Sequence, residues 1–449
     1  MPNTYLSRTT GSPTNSYKGT FSAWIKKGDT GNSRQELITE YTDANNRFYI
    51  GFNSSDKLEI GSVQSSSWVI DFGYTRVFKD VNAWYHIVMA FDTTQSTASN
   101  RVKLYVNGVQ ETNIPGSPTY PSQNSSIAIN SASKSITIGA SRYGGVSGGF
   151  NGSMSHVHFI DGTAYDASYF GSTDSTTGEW KINTSPSVTY GNNGFFILKD
   201  GNTITDSSTN SNNFSLGGGT LTKTEDCPAN VFATMNPLTS YYAGAWTFSN
   251  GNNTVNMATT SERYVVGTMG FSSGKWYWEQ KYVSKSGSTF SRVGIESNIN
   301  NTAPDQSTSG YGYRGETSDA SQGMKVNNGT YTFWGDDYGV GDIIGCAVDM
   351  DNNKIYFSIN GVWQESGDPT SGATGTGSAF TIIDPPSGFY FPKIGKEAAD
   401  TGVWSFNFGN GYFGTTAVSS AGTNASGIGI FEYDVPTGYT ALSTKGLNL

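Results

Sequence analysis

A few groups of residues in this chain have the composition that catalysis or metal binding needs, and their spacing decides what they could do. Glu432 and Asp434 stand two residues apart, so on a strand both carboxylates point the same way. Two carboxylates about 5–5.5 Å apart are the apparatus of retaining glycoside hydrolysis. Gly-x-Ser-x-Gly occurs at residues 145–149 and 270–274. A nucleophile elbow requires a strand before the serine and a helix after it, whereas both copies run on into strand-like sequence. His86, His156 and His158 also all precede Ser272, which breaks the usual order of a hydrolase triad. Gly-Tyr-Gly-Tyr-Arg-Gly at 310–315 lacks the following helix whose N-terminus would hold a pyrophosphate. His156 and His158 alternate on one strand and so share a face, but no Cys, His or acid pattern beside them completes a zinc shell. They read as a packed pair. Asp349, Asp351 and Asn353 open like a calcium loop, yet Lys354 stands at the sixth position, where glycine is needed, and Asn360 at the twelfth, where glutamate is needed. That segment reads as an Asx-rich hairpin turn.

The elements that would position these groups are strands. The 449 residues include 56 Gly, 14% are aromatic and only 14% are charged, against about a quarter charged in an average soluble domain. Aromatic and β-branched runs broken by Gly, Asn and Ser clusters are what sheets joined by tight turns look like. The length exceeds one ordinary core and predicts two to three domains. An internal parallel supports this. WYHIVMAFDTTQSTASNRVKLYVNGVQET (84–112) and DIIGCAVDMDNNKIYFSINGVWQES (342–366) each run from an apolar strand ending in Asp through a polar turn to Lys-x-Tyr alternation and Asn-Gly-Val. Asn-Gly supplies the two positive-φ positions of a type I′ hairpin turn, so each half is expected to hold three consecutive antiparallel strands.

Further strands are expected at 19–27, 47–52, 57–63, 135–140 and 151–161 in the first half. In the second they are expected at 274–282, 292–297, 323–327, 380–383, 389–394 and 403–408, with a turn at 166–170 the only helical suggestion. Such density of short strands predicts an all-β chain of two tandem antiparallel jelly-roll β-sandwiches. They would occupy residues 1–172 and 237–449, joined by a small β-containing connector at 173–236.

The net charge of −9 comes without a Lys/Arg cluster, so nucleic acid is not an expected partner. Apolar runs such as 194–198 are strand-length and predict no membrane insertion. The N-terminus has no basic-then-apolar signal segment. Cys346, in the apolar run IIGCAVDM, and Cys227, in a polar stretch, read as separate thiols.

Several segments carry family likenesses. FSAWIKKG (21–28), WYHIVMAFD (84–92), LYVNGVQ (104–110) and FNGSMSHVHFIDGTAYDASYFG (150–171) resemble the laminin-G-like, concanavalin A-like jelly rolls. SSGKWYWEQKY (272–282), VGI (293–295), YGYRG (311–315), residues 339–364, YFPKI (390–394) and FNFG (406–409) resemble a SPRY domain. Bridged by DSSTNSNNF (206–214) and ending in GYTALSTKGLNL, the combination resembles virion structural proteins of tailed bacteriophages. That resemblance implies a tail-fibre, receptor-binding or capsid-decoration protein on the virion surface. It would be non-enzymatic and homo-oligomeric (a trimer by family habit), with other virion proteins and a host-surface glycan or protein as partners. The chain opens almost directly into its first sandwich, without a repetitive shaft, so tail and capsid are matched expectations. Concanavalin A-like folds also include glucanases, which makes a carbohydrate-active enzyme, or its binding module, the alternative. Their acids come from a Glu-x-Asp-x-x-Glu strand, and Thr437 stands where the second Glu would follow Glu432 and Asp434. Laminin-G-like domains often hold calcium between loops, but no ligand can be assigned residue by residue, so neither a metal site nor a cofactor is predicted.

Binding is therefore expected on loops at one end of a sandwich, through side chains with a flat apolar face and a polar tip. In the second half the candidates, in or beside the loops that SPRY domains use, are Tyr311, Tyr313, Arg314, Trp334, Tyr338 and Trp363; in the first they are Trp68, Tyr74 and Tyr143. Trp24, Trp84, Trp276, Trp278 and Phe406 sit in strand-like sequence and read as structural.

Overall fold

In a computed structural model the chain is nearly all β and divides into two compact units, Met1–Lys223 with Cys227–Ala229, and Thr224–Asp226 with Asn230–Leu449. The structure describes residues 4–31, 34–143, 145, 147–199, 203–239, 246–258, 263–287, 291–299, 307–315, 322–396 and 401–448. Among these the helical pieces are three-residue 3-10 turns. One of them, Ala167–Tyr169, is capped by Asp166, whose carboxylate accepts the Ser168 N–H at 2.9 Å, where the sequence suggested a turn.

The first unit packs a seven-stranded antiparallel sheet on a six-stranded one. The first sheet runs, in spatial order, Ser215–Gly218, Tyr5–Thr9, Ser135–Ile138, Gln35–Asp43, Asn46–Phe52, Lys57–Gln64 and Ser67–Val77. The second runs Phe195–Ile197, Gly152–Asp161, Lys18–Lys27, Trp84–Asp92, Val102–Val106 and Val109–Glu111. Inward positions at period two, among them Phe21, Ala23, Ile25, Ile87, Met89, Phe48, Ile50, Ile70 and Phe72, form the core between the sheets. Gln35–Asp43 and Ser67–Val77 were not among the expected strands. The first carries a register shift between Glu36 and Ile38 that buries both Leu37 and Ile38 in the core and so erases the alternation.

Residues 173–223, expected to belong to a connector, lie in the first unit, and residues 230–236 lie in the second. Phe195–Ile197 is a fully buried strand, and the Asn/Ser-rich stretch after it is tied down by its own side chains. Asp206 accepts the N–H groups of Phe196, Ser208 and Asn212, each at 2.8 Å.

The six-stranded sheet is covered on its other face as well. Val88, Ile160, Ala167 and Phe170 form a second apolar layer, with Tyr105, Tyr165, Trp180 and Tyr190 against it. His86 lies at its centre. Its ring stacks on Trp24 (centroids 4.9 Å apart, 14° between planes), its Nε2 meets Ser22 Oγ at 2.8 Å, and its Nδ1 accepts the Trp180 indole N–H at 3.0 Å. An indole N–H can only donate, so Nδ1 carries no proton and the imidazole is neutral.

The second unit repeats this plan. Its larger sheet runs Trp246–Ser249, Thr254–Met257, Thr401–Asn407, Lys275–Ser286, Ile343–Asp349, Lys354–Ile359 and Val362–Trp363. The smaller runs Arg263–Val266, Phe391–Lys396, Ser291–Glu296, Gly310–Arg314, Met324–Asn327 and Thr330–Phe333. Trp276, Trp278, Val293, Ile295, Cys346 and Trp404 lie in the core between them. On the other face of the larger sheet, Tyr277, Ala347 and Tyr356 are covered by Phe431, Val435 and Tyr439. Glu279, fully buried, pins that cover. It accepts the Glu432 and Tyr433 N–H groups at 2.8 Å each, the Tyr277 hydroxyl at 3.0 Å and the Asn407 amide at 3.3 Å. The cysteines are unbridged; Cys346 is buried, and burial pushes its thiol well above the usual range.

Both Asn-Gly hairpins are present. Asn107 and Gly108 have φ of 48° and 80°, Asn360 and Gly361 of 49° and 80°, as a type I′ turn requires. In each unit the asparagine also reaches sideways: Asn107 Oδ1 accepts the His86 N–H at 2.8 Å, and Asn360 Oδ1 the Ile343 N–H at 3.0 Å. In each, the bare glycine seats a ring of the covering segment. A Cβ on Gly108 would fall 2.4 Å from the Trp180 ring, and one on Gly361 2.5 Å from the Tyr433 ring.

Two predictions follow from these covers. Burial pushes His86 down to about 3 and His158 well below the usual imidazole range, whereas an unfolded histidine titrates near 6.5. Between those limits the unfolded state binds more protons, so stability is fully present above about pH 6.5 and is lost as pH falls towards about 3. Glu36 and Glu40 of the same unit, whose carboxyls burial pushes up, act in the opposite sense. The histidine contribution is therefore read as a difference between variants in urea unfolding of the full chain at about pH 7.5 and about pH 4.5, followed by tryptophan fluorescence. His86→Asn should be less stable than the parent chain at neutral pH, and the gap between the two should narrow in acid. For the second unit, Glu279→Gln replaces an acceptor of four donors by a group that is half donor. Because it also removes a carboxylate that burial pushes up to about 7, the loss of unfolding free energy should be about 1 kcal/mol, read as a lower denaturation midpoint.

Candidate functional site

A cleft of about 430 Å³ opens on the outer face of the seven-stranded sheet. On Asn46–Phe52 the inward residues Phe48, Ile50 and Phe52 belong to the core, which leaves Arg47 and Tyr49 on the outer face. Cross-strand pairing brings Thr39 beside Tyr49, Tyr41 beside Arg47, and Trp68 beside Val63, itself opposite Arg47. Tyr49, largely buried, forms the floor, its ring lying over Gly61, where a Cβ would fall 2.2 Å from Tyr49 Cζ. Ser141, Arg142, Tyr143, Ser147 and Gly148 also line the cleft, and Ser141 and Ser147 exchange backbone hydrogen bonds of 2.8 and 3.2 Å.

At one end of the cleft the Arg34 guanidinium lies 3.9 Å from the Tyr49 ring centroid and is matched by Glu36 at 2.9 Å and Glu59 at 3.1 Å. Burial pushes the Glu36 carboxyl up, and Arg34 beside it acts in the opposite sense. At the other end Arg47 lies between two exposed rings, 4.8 Å from Tyr143 and 5.5 Å from Trp68. Tyr41 meets Tyr143 edge to face at 6.1 Å. Trp68 is 44% and Tyr143 53% exposed, far more than side chains held only for packing need. Arg142 donates to the Tyr5 hydroxyl at 3.1 Å. Glu40 also borders the cleft, but its strand neighbours Phe48 and Ile136 are core residues, and its carboxylate accepts the Ser131 N–H at 3.2 Å. Burial pushes it up to about 7.

Of the nine residues singled out from sequence, Trp68 and Tyr143 meet in this cleft. Tyr74 does not: it shares the inward phase of its strand with Ile70 and Phe72 and lies in the core. Tyr311 and Tyr313 alternate with glycines on a strand and point inward, and Trp334 and Tyr338 pack with them in the second core. Tyr338 donates to the carbonyls of Ser291 (3.0 Å) and Tyr313 (2.9 Å), so its polar tip is spent inside. Trp363 is partly buried against Tyr277, and Arg314 lies 5.3 Å from the Tyr331 ring. Arg34, Glu36, Tyr41, Arg47, Tyr49 and Arg142 were not singled out. For Arg47 and Tyr49 a signal existed, since the alternation in NRFYIGF puts both on the face away from the core.

The chemical motifs take structural places. Glu432 accepts the Ser419 N–H at 2.8 Å, and Asp434 accepts the Thr423 N–H at 2.6 Å, which holds its carboxyl below the usual range; both close turns. Ser272 leads into the strand Lys275–Ser286 with no helix after it, and residues 144 and 146, at the other Gly-x-Ser-x-Gly, lie outside the described residues. His156 and His158 do not share a strand face by alternation, because a bulge with His156 at φ 48° separates them. They meet instead around Phe196, whose ring centroid lies 5.5 Å from His156 and 3.9 Å from His158. Asp349 accepts the Asn352 N–H at 3.0 Å and the Lys275 ammonium at 2.8 Å, as a hairpin turn. Among the described residues no group of three or more His, Cys, Asp or Glu is placed to hold a metal ion.

The described residues thus form two double-sheeted sandwiches, one with an aromatic- and arginine-lined cleft on an open sheet face. Residues 3–168 match the Laminin_G_3 family of the concanavalin A-like lectin/glucanases superfamily, and residues 275–386 match the SPRY domain family. The chain thus carries a concanavalin A-like domain followed by a SPRY domain. Among solved structures it is similar to the SPRY domain of human HERC1 (18% identity, 38% of this chain and 96% of that one, TM-score 0.30). It is also similar to the heptameric SAP-like pentraxin of Limulus polyphemus (17% identity, 36% of this chain and 71% of that one, TM-score 0.27). No curated protein matches the chain.

Proposed function

We propose that this chain is a non-catalytic recognition protein that holds a saccharide in the cleft of its first sandwich. The observation that carries this reading is the placing of Arg47 between two exposed rings, Trp68 and Tyr143, above the buried floor of Tyr49. A pyranose has a face of C–H bonds and a rim of hydroxyls. Rings offer the first an apolar surface, and guanidinium and hydroxyl groups meet the second. The cleft volume, about 430 Å³, is in the range of small-ligand sites.

The biological setting we propose is the surface of a tailed-bacteriophage virion, on tail or capsid, as a homo-oligomer, with a trimer as the expected number, attached to other virion proteins and directed at a host-surface glycan. Support for this setting is the likeness of DSSTNSNNF (206–214), the C-terminal GYTALSTKGLNL and the domain pairing to such proteins.

Screening the full chain against a saccharide array, then measuring its best ligand by calorimetry, tests the binding reading. Trp68→Ala and Tyr143→Ala should each weaken that ligand by about tenfold or more and leave the melting temperature unchanged, since both side chains are exposed. Affinity unchanged in both variants would overturn the cleft as the site. Gold-labelled antibody against the chain on purified particles tests the setting: label on tails or capsids is expected, and absence from particles refutes it.

A further inference from the structure

We infer that the cleft selects an acidic saccharide, one bearing carboxylates or sulfates, and that Arg47 and Arg142 each take an anionic group of it. This rests on the saccharide reading above and sharpens it. Three arginines line the cleft, and they differ in how they are satisfied. Arg34 is held by two glutamates, Glu36 and Glu59. Among the described residues neither Arg47 nor Arg142 is in ion-pair contact with a carboxylate, and Glu36 acts on Arg47 only through space. Among the described residues each makes one side-chain hydrogen bond, Arg47 to the Ala44 carbonyl and Arg142 to the Tyr5 hydroxyl, fewer than a guanidinium's five donors can make.

Their surroundings make the two charges effective. The chain carries 36 acidic against 27 basic residues, so two arginines in one cleft without an ion-pair contact among the described residues run against the overall balance. Arg47 is half-buried between Trp68 and Tyr143. Cation–π contact fixes such a guanidinium while its N–H edge stays available, and the rings displace water that would otherwise weaken the attraction. Arg142 is half-buried, is the chain neighbour of Tyr143 and stacks over Tyr5 at 5.6 Å. A planar fork of donors suits carboxylate and sulfate oxygens. The acids near the cleft offset it only in part: Glu36 and Glu59 are paired with Arg34, although Glu36 also acts on Arg47; Glu40 accepts the Ser131 N–H among core neighbours, and Asp71 is exposed to solvent. The net negative charge of the whole chain opposes indiscriminate attraction of polyanions, so acidic ligands should bind through this cleft or not at all.

The test uses the full chain and matched probes: oligogalacturonate against its methyl ester, and dextran sulfate against dextran. The acidic member of at least one pair should bind about tenfold or more tightly than its neutral counterpart, and more weakly as salt rises from about 50 to about 300 mM. The pair that responds identifies carboxylate or sulfate as the anion. Arg47→Gln and Arg142→Gln should each lose most of that preference, and Arg47→Lys should recover only part of it. Melting temperatures of the variants check that each is folded. Equal binding of both members of each pair, or an acidic preference that survives both glutamine variants, overturns the inference. Array ligands that are all neutral and depend on Trp68 would overturn the acidic selectivity and leave the saccharide reading standing. Absence of any saccharide binding would overturn both.

Discussion

A β-sheet has two faces, and one given to a core leaves the other still to be hidden or kept polar. In each unit of this chain one sheet is buried on both faces, and the remaining structure is arranged around that constraint. Its second cover comes from a later excursion of the same chain, residues 165–190 in the first unit and 428–441 in the second. Each cover is held at an Asn-Gly hairpin, where the glycine leaves room for a ring (Trp180 or Tyr433) and the asparagine ties the turn to the neighbouring strand. The titratable groups trapped beneath find partners: neutral His86 between Ser22 and Trp180, and Glu279 among four donors. Buried polar atoms without such partners would cost more than the apolar burial around them returns.

The same constraint explains where the cleft lies. Among the described residues the outer face of the seven-stranded sheet carries no second apolar layer of the kind that covers its partner. On Ser67–Val77 buried Ile70, Phe72 and Tyr74 alternate with exposed or half-exposed residues. A face left open in this way is where side chains can be held rigidly by strands and still meet a ligand. Rigid placement matters because each arginine ordered before binding costs less entropy on binding. Arg34 shows the ordinary use of a guanidinium here, packed on Tyr49 and neutralised; Arg47 and Arg142 depart from it.

Aromatic content alone is a poor guide to such a site. Tyr311, Tyr313, Trp334 and Tyr338 are as aromatic as Trp68 and Tyr143 and sit in sequence just as rich in Gly and Asn. Yet they interlock: the ring of Tyr313 meets those of Trp334, Tyr338 and Phe357 at 5.1–5.4 Å. What separates the two groups is the phase of each residue on its strand, and phase is readable only when the strand and its register are known.

The sequence by itself determined the all-β class, the two sandwiches and the two Asn-Gly hairpins, because those follow from local chemistry: period-two burial and turns that need two positive-φ residues. It also carried enough to reject the serine, nucleotide and calcium-loop motifs, whose required helices and ligands are local too. Tertiary structure decided the rest. It shifted the strand at Glu36–Ile38 by a bulge, separated His156 from His158 by another, and took residues 173–223 into the first unit. It also carried Tyr143 from about a hundred residues away to the side of Arg47, and Arg142 into the same cleft. Bulges and long-range pairings are set by competition among whole faces for burial, and a stretch of sequence holds only one side of that competition.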